Sequence, residues 1–418
     1  MDNNDNHKTS FFRLRRILQL IKSKEESWQK NLLFISIAQF IAMIGMSSCV
    51  PFLPLYIREL GIKNFAEAQL WSGLIFSGPY WLSIITVPLW GSLADKYGHK
   101  LMIIRAIIGL AIAMALMGFA RDVVQLFILR VFQGAVSGFV AAALGFITVN
   151  TPESRSGYAI GILQSSLSAG NIIGPFFGGI FSDIFGIRPV FFIVSAFCLL
   201  SGIFIITFVT EDNKIRVKKV HNNNVFENFS YIKKDKSLSI SLILIILSQA
   251  GIFFANPIFP FFIEALKAPP ALLSTITGLL IGIVGIFNIL FAPFWGRKND
   301  TGDYRKNLVI ASIITGIVMI LHIFMTKYFY LFPIRAIQGI FIAAIIPSLY
   351  TALNKKAPED NKGGIMGFAS SATLFGSLIS YLLCGITASN FGMASCFIIS
   401  GLLLIVTAVI ARLKLKIL

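Results

Sequence analysis

The sequence predicts an all-α integral membrane protein, with twelve transmembrane helices arranged as two parallel six-helix repeats. Three observations carry this expectation. The 418 residues are 56% hydrophobic and only 13% charged, with a mean hydropathy of +0.78, whereas a soluble domain carries about 25% charged residues. Long stretches hold no charge at all, and about 20 apolar residues take a helix across a hydrocarbon layer about 30 Å thick. Short patterns also recur at an offset of 205 or 206 residues, so the second half of the chain echoes the first.

In chain order the predicted spans are 32–57, 71–93, 101–120, 123–149, 157–181 and 190–209, then 238–263, 272–295, 308–325 and 328–353. Residues 363–411 form one uncharged run, and the turn residues at 389–392 divide it into the last two spans. The expected units are a basic N-terminal segment (1–31), a first bundle (32–210), a polar linker (211–237), a second bundle (238–411) and a short tail (412–418). The repeat is visible residue by residue. Pro51 and Pro54 return as Pro257 and Pro260, Trp90-Gly91 as Trp295-Gly296, Arg130 with Gln133-Gly134 as Arg335 with Gln338-Gly339, and Phe185-Gly186 as Phe391-Gly392. Six spans per unit is an even number, so both copies enter from the same face and are parallel repeats.

A net charge of +17 invites a nucleic-acid reading, but the placement of the charges argues against one. With both termini cytoplasmic, only Arg58, Lys63, Arg121, Arg188, Lys267 and Lys327 fall on the opposite side, and Arg130 and Arg335 lie inside spans. The other 28 of the 36 Lys and Arg share the terminal side, as the positive-inside rule requires. Membrane lipid is therefore an expected partner, and nucleic acid is not. The start of the chain has no apolar core followed by a small-residue cleavage site, so no cleaved signal is expected. Its Phe11, Phe12, Leu14, Ile17, Leu18 and Ile21 among Arg13, Arg15, Arg16 and Lys22 suit either a helix lying on an anionic leaflet or a disordered basic tail. Cys49, Cys198, Cys384 and Cys396 sit in apolar spans without metal-ligand spacing. No convergent His, Asp, Glu or Cys cluster supports acid–base or metal chemistry, so the chain is not expected to be an enzyme, to hold a metal or to need a cofactor.

Four motifs remain. Gly91, Asp95, Lys96, Gly98 and Lys100 form a charged turn between the second and third spans, with glycines for tight geometry and an acid that can face a helix N-terminus or an arginine. Arg130-Val131-Phe132-Gln133-Gly134 places a guanidinium deep in a span, costly unless it is paired or faces water. Gly170, Gly174, Pro175, Gly178 and Gly179 put small residues at helical spacing around a proline in the fifth span, for close packing and a bend. Gly45, Pro51 and Pro54 lead the first span to a proline bend near its outer end. These four patterns resemble those of the major facilitator superfamily, and within it the twelve-helix drug:proton antiporter branch, over nearly the whole chain. The second copy of the charged turn keeps Gly296 and Asp300 but is longer, and the second copy of the fifth-span motif has Ser380-Tyr381 in place of Gly-Pro.

The resemblance implies a secondary transporter in a bacterial-type inner membrane, a monomer that exports drugs or other amphipathic organic molecules by alternating access, with the proton gradient as energy source. It implies that Arg130, Gln133 and Gly134 take part in proton coupling, with a hydrogen-bonded structural clamp as the alternative. A dedicated exporter or importer of a siderophore or other metabolite fits the same motifs, as does a sensor or scaffold on a transporter frame. All 19 Asp and Glu lie in loops or at span ends, which leaves Asp95, Glu59, Asp122, Asp183 and Glu264 as acids to consider, each read as a solvated end charge apart from the motif acid Asp95. His322 reads as an interfacial side chain. Expected around the central cavity are Gln39, Tyr80, Gln164, Asn171, Gln249, Asn256 and Asn288, with Phe76 and Phe254 as apolar wall.

Overall fold

The computed structural model describes residues 27–211, 225–358 and 361–415; the amphipathic stretch around residues 11–22 lies outside them. All regular structure among the described residues is helical. The first half contains α1 (Ser27–Ser48), α2 (Leu53–Glu59), α3 (Phe65–Tyr97), α4 (His99–Gly118), α5 (Val123–Ala135), α6 (Phe139–Asn150), α7 (Ser156–Phe185) and α8 (Ile187–Phe208). After α9 (Val225–Lys234) the second half follows with α10 (Lys236–Phe253), α11 (Phe259–Ala265), α12 (Leu273–Thr301), α13 (Tyr304–Leu321), α14 (Leu331–Lys356), α15 (Lys362–Phe391) and α16 (Met393–Lys414). Among the described residues eleven stretches are long and apolar enough to cross a membrane. The 30-residue α7 supplies the twelfth span, its glycines, serines and asparagine diluting its hydropathy.

The chain breaks where its backbone chemistry demands it. Pro54 and Pro260 lie in the first turns of α2 and α11, where a missing N–H leaves no helical bond unmade, so spans one and seven are each interrupted at the same repeat position. The fourth span, expected as one helix over 123–149, is in fact two. It stops at Ala135 and restarts at Phe139 after Gly138, whose φ of +117° is a left-handed conformation that a side chain resists. Its repeat mate α14 runs unbroken. The end of the predicted linker packs against the second half: Ile232 of α9 is buried there, and Asp235 caps α10 by accepting from the Ser237 and Leu238 amides.

The repeat is preserved as hydrogen bonds. The Trp90 indole donates to the Ala135 carbonyl and Trp295 donates to the Ile340 carbonyl, both at 2.8 Å. A Cβ on Gly134 would collide with the Pro79 carbonyl oxygen, and one on its mate Gly339 would meet the Val284 carbonyl oxygen at 2.5 Å. The tryptophan and the glycine thus keep one crossing close in each half.

Among the described residues, apolar packing across the halves occurs on one side only. The cluster around Phe52, Tyr56, Met117 and Phe191, on the side away from the termini, also takes in Phe261 and Tyr381 of the second half. The cluster around Ile35, Ile103, Phe146 and Leu163, on the terminal side, contains first-half residues alone. Two placements differ from expectation. His322 is fully buried, stacked on Phe397 at 5.1 Å with Nδ1 2.8 Å from the Val318 carbonyl oxygen, so it is packed core rather than interfacial. Arg105, counted with the terminal-side charges although the predicted span 101–120 holds it, lies inside α4.

Trp90→Phe and Trp295→Phe each remove one buried hydrogen bond while keeping most of the ring, so each should lower stability by about 1 kcal/mol. Thermal unfolding in detergent measures this, and equal losses for the two mates are expected.

Candidate functional site: a two-sided passage between the halves

Four helices, α3 and α7 from the first half and α12 and α15 from the second, form the contact between halves. On the far side they touch backbone to backbone. A Cβ on Gly179 of α7 would run into the Ser274 carbonyl of α12, and one on Gly278 of α12 would run into the Pro175 carbonyl. Between α3 and α15, a Cβ on Gly73 would lie 2.7 Å from the Gly385 Cα, and one on Gly385 would lie 2.8 Å from the Leu70 carbonyl oxygen. On the terminal side the same four helices stand apart: a Cβ on Gly91, Gly157, Gly161, Gly296 or Gly367 would have no neighbouring heavy atom within 4 Å. The passage is therefore sealed on the far side and open on the terminal side.

Charge reinforces the seal. Asp183, at the end of α7, accepts from the Ser274 and Thr275 amides at 3.2 and 2.7 Å, capping α12 across the interface. Arg58 Nη1 lies 2.9 and 2.8 Å from the two Glu264 carboxylate oxygens, an ion pair between repeat-related positions, with the guanidinium over the Phe261 ring at 4.7 Å. Asp183 is thus a helix cap rather than a solvated end charge, and Glu264, its side chain 40% exposed, is paired at its end of the span. Nearby Glu59 has its carboxyl pushed above the usual range by burial, with Arg188 opposing.

The fifth-span motif divides its glycines between two partners. Gly170, Gly174 and Gly178 face α1: a Cβ on Gly170 would lie 2.6 Å from the Met43 Cβ, and Cβ atoms on the other two would collide with Ser47 and Ser48. Gly179 and the Pro175 carbonyl face α12 instead. The helix continues through Pro175 from Ser156 to Phe185. In the fourth span Arg130 Nε donates to the Ile75 carbonyl at 3.1 Å and Nη1 to Gln133 Oε1 at 2.7 Å. Arg335 repeats the second bond with Gln338 at 2.9 Å and lies 3.6 Å over the Phe259 ring. Both guanidiniums are held by carbonyl, amide and aromatic groups, with no carboxylate partner among the described residues.

In the loop motif, Gly98 links α3 to α4 at φ +103°, another left-handed position. The acid at the α4 N-terminus is Glu211, whose carboxylate oxygens accept from the His99 and Lys100 amides at 2.9 and 3.0 Å. Lys96 lies over the Tyr97 ring and Lys100 Nζ reaches the Ile206 carbonyl at 3.2 Å. Glu211 opens the predicted linker, and nothing local in the sequence marks it; only the fold brings it to the turn. The Asp95 side chain is outside the described set.

A cavity of about 410 Å³ lies on the first-half side of the passage, lined by Met43, Tyr80, Gln133, Gly138, Phe139 and their neighbours, with Leu374 from the second half. No charged residue lines it among the described residues. The broken fourth span forms one wall, and Arg105 holds the break by donating to the Val136 carbonyl at 3.0 Å while stacking on Trp90 at 3.6 Å. Of the predicted cavity residues Tyr80 lines this space. Gln39 and Gln249 are buried between helices, Gln39 donating to the Leu163 carbonyl at 3.1 Å. Phe76 and Phe254 are buried in the packing, Asn256 and Asn288 are half-buried, and Gln164 and Asn171 are exposed on α7. The residue that gathers several of them is Tyr381, which meets Phe76 and Tyr80 at 5.6 Å. At the repeat offset of 206 it stands where the first half has Pro175, and that exchange was its signal in the sequence.

The sequence profile of the Major Facilitator Superfamily matches residues 35–275 and again 241–417. The chain belongs to this superfamily. Among its relatives is the multidrug resistance protein MdtG of Proteus mirabilis, 32% identical over 377 residues, which cover 90% of this chain and 94% of that one. MdtG of Klebsiella pneumoniae is 28% identical over 390 residues, covering 93% and 94%. The fold is shared with the solved nucleoside transporter NupG at a TM-score of 0.78, 14% identity and coverage of 92% and 100%. It is also shared with a bacterial homologue of the lysosomal transporter Spinster, in an inward-facing and occupied conformation, at 0.77, 14%, 94% and 97%. This major facilitator protein is a multi-pass secondary transporter of small molecules and not an enzyme. Transporters of this type run on the proton gradient without a cofactor.

Gly179→Val and Gly278→Val should push α7 and α12 apart on the far side and shift the resting population toward a far-side-open form. Cysteine labelling from each side reads this, with increased far-side modification as the expected result.

Proposed function

We propose that this transporter is a proton-coupled exporter of uncharged or amphipathic organic molecules in a bacterial cytoplasmic membrane, with both termini cytoplasmic and the monomer as the working unit. The observation that carries the reading is the uncharged 410 Å³ cavity beside a passage that is shut on the far side and open on the terminal side. A cavity without fixed charge favours apolar or amphipathic cargo, because a phosphorylated or strongly acidic solute needs several buried cations. The naming of the relatives as multidrug resistance proteins supports the same class. The excess of Lys and Arg on the terminal side supports the orientation.

In this reading residues 32–210 and 238–411 rock as two bundles around the cavity, 211–237 joins them, and 1–31 and 412–418 stay on the cytoplasmic surface. Gly91, Asp95, Lys96, Gly98 and Lys100 stabilise one of the two arrangements at the cytoplasmic turn. Pro175 and Gly179 form the dry far-side contact that opens and closes, while Gly170, Gly174 and Gly178 hold α7 against α1 within the first bundle. Arg130, Gln133 and Gly134 tune proton coupling near the cavity wall, and Asp183 and Glu264 are acids on the moving contact. Tyr80 and Gln133 offer cargo its polar contacts, and Gln164, Asn171 and Asn288 face it as the bundles rock.

Uptake of a fluorescent lipophilic substrate into inverted vesicles, with and without an imposed pH gradient, tests the coupling; movement indifferent to the gradient would count against antiport. Asp95→Asn and Pro175→Leu should each reduce transport at least about tenfold, a loss of about 1.4 kcal/mol in the rate-limiting rearrangement, while membrane insertion stays normal.

A further inference from the structure

A second space, about 570 Å³, is separate from the passage. It is lined only by α1 and by the start of α7 with the turn before it. On α7 its lining residues Tyr158, Ile162 and Ser166 lie on a different helix face from Gly161 and Gly179, which point at the second half, so the groove lies on the outside of the bundle and opens to lipid. Its position on the terminal side places it in the leaflet nearest the termini.

We propose that this groove binds an anionic phospholipid of that leaflet. Four features converge on a phosphodiester head with an acyl chain below it. Arg155 sits exposed at the rim, with no ion-pair partner among the described residues. It is also the N-cap residue of α7, whose first turn has no side-chain cap, so unsatisfied backbone N–H groups and the helix dipole point at the same place. Trp28 and Tyr158 flank the rim, as amphipathic aromatics do at the headgroup level. Below them Leu33, Ile37, Phe40 and Ile162 make a continuous apolar wall.

The fourth feature is Ser36. It is 7% exposed, and its hydroxyl has no hydrogen-bond partner although it lines the groove. Gln39 bonds Leu163, which sets the two parallel helices in register and puts Ser36 beside residue 160, about 7 Å deeper than Arg155 at 1.5 Å per residue. That is the depth of the glycerol esters when the phosphate lies at Arg155, so the ester carbonyl supplies the acceptor that the protein does not.

The test is native mass spectrometry of the full chain, delipidated and re-equilibrated with equimolar phosphatidylglycerol and phosphatidylcholine. The wild type is expected to retain phosphatidylglycerol in preference. Arg155→Gln should cut that preference about fivefold, the effect of one cation at the lipid surface. Lys356→Gln, which removes an equal charge from the terminal end of α14, should leave it unchanged. Ser36→Leu, which fills the groove without altering charge, should lower retention of both lipids. The proposal is overturned if the wild type shows no preference, if Arg155→Gln matches it, if Lys356→Gln falls as far as Arg155→Gln, or if Ser36→Leu retains lipid normally. None of these readouts depends on transport.

Discussion

Where α7 meets α12 on the far side, no side chain stands between the two backbones: Gly179 faces the Ser274 carbonyl and Gly278 faces the Pro175 carbonyl. Lipid tails are as apolar as leucine, so burying apolar side chains gives membrane helices little drive to associate. Close van der Waals approach and polar contacts at small residues hold them instead. A contact of this kind is strong when made and weak once separated by one or two ångströms, because dispersion falls steeply with distance. It behaves as a switch rather than a spring. The open ends of the same four helices, where glycines face empty space, have the same small-residue surface with no partner in this conformation.

Charged groups within the spans are few, and their arrangement follows from the cost of leaving one unpaired. Arg130 and Arg335 each take an adjacent glutamine as acceptor, and Arg130 adds the Ile75 carbonyl. Arg105 satisfies carbonyls released by the broken fourth span and covers its own charge with Trp90. Acidic groups are kept to the ends, where they cap helices: Asp183 on α12, Glu211 on α4, Asp235 on α10 and Asp303 on α13. Two of these join elements distant in the chain, so the caps also fix tertiary geometry.

Departures from the repeat mark the functional features more clearly than the repeat itself. The halves share the Trp–carbonyl bond and the glycine crossing, which hold helices together in each, and both carry an Arg–Gln pair. They differ where Pro175 is replaced by Tyr381, where α5 and α6 are one helix in the second half, and where Glu211 caps α4. In the second half Asn299 instead joins Asn307 and Ser348 in an uncharged cluster. The cavity lies on the first-half side of the passage because the broken span is there.

Hydropathy and periodic repetition sufficed for the spans, the duplication and the motif glycines, because lipid admits only helices whose backbone bonds are internal and a duplicated chain carries its symmetry in its residues. The identity of the glycines was legible; their partners were not. Sequence spacing showed that Gly170, Gly174 and Gly178 share a helix face, but only the packed fold assigned that face to α1 and left Gly179 for the other half. It also turned Gln39, Gln249 and His322 inward, brought Glu211 to a turn over a hundred residues away, and joined Arg58 to Glu264. These are contacts between distant segments, set by how helices cross, and no local pattern encodes a crossing.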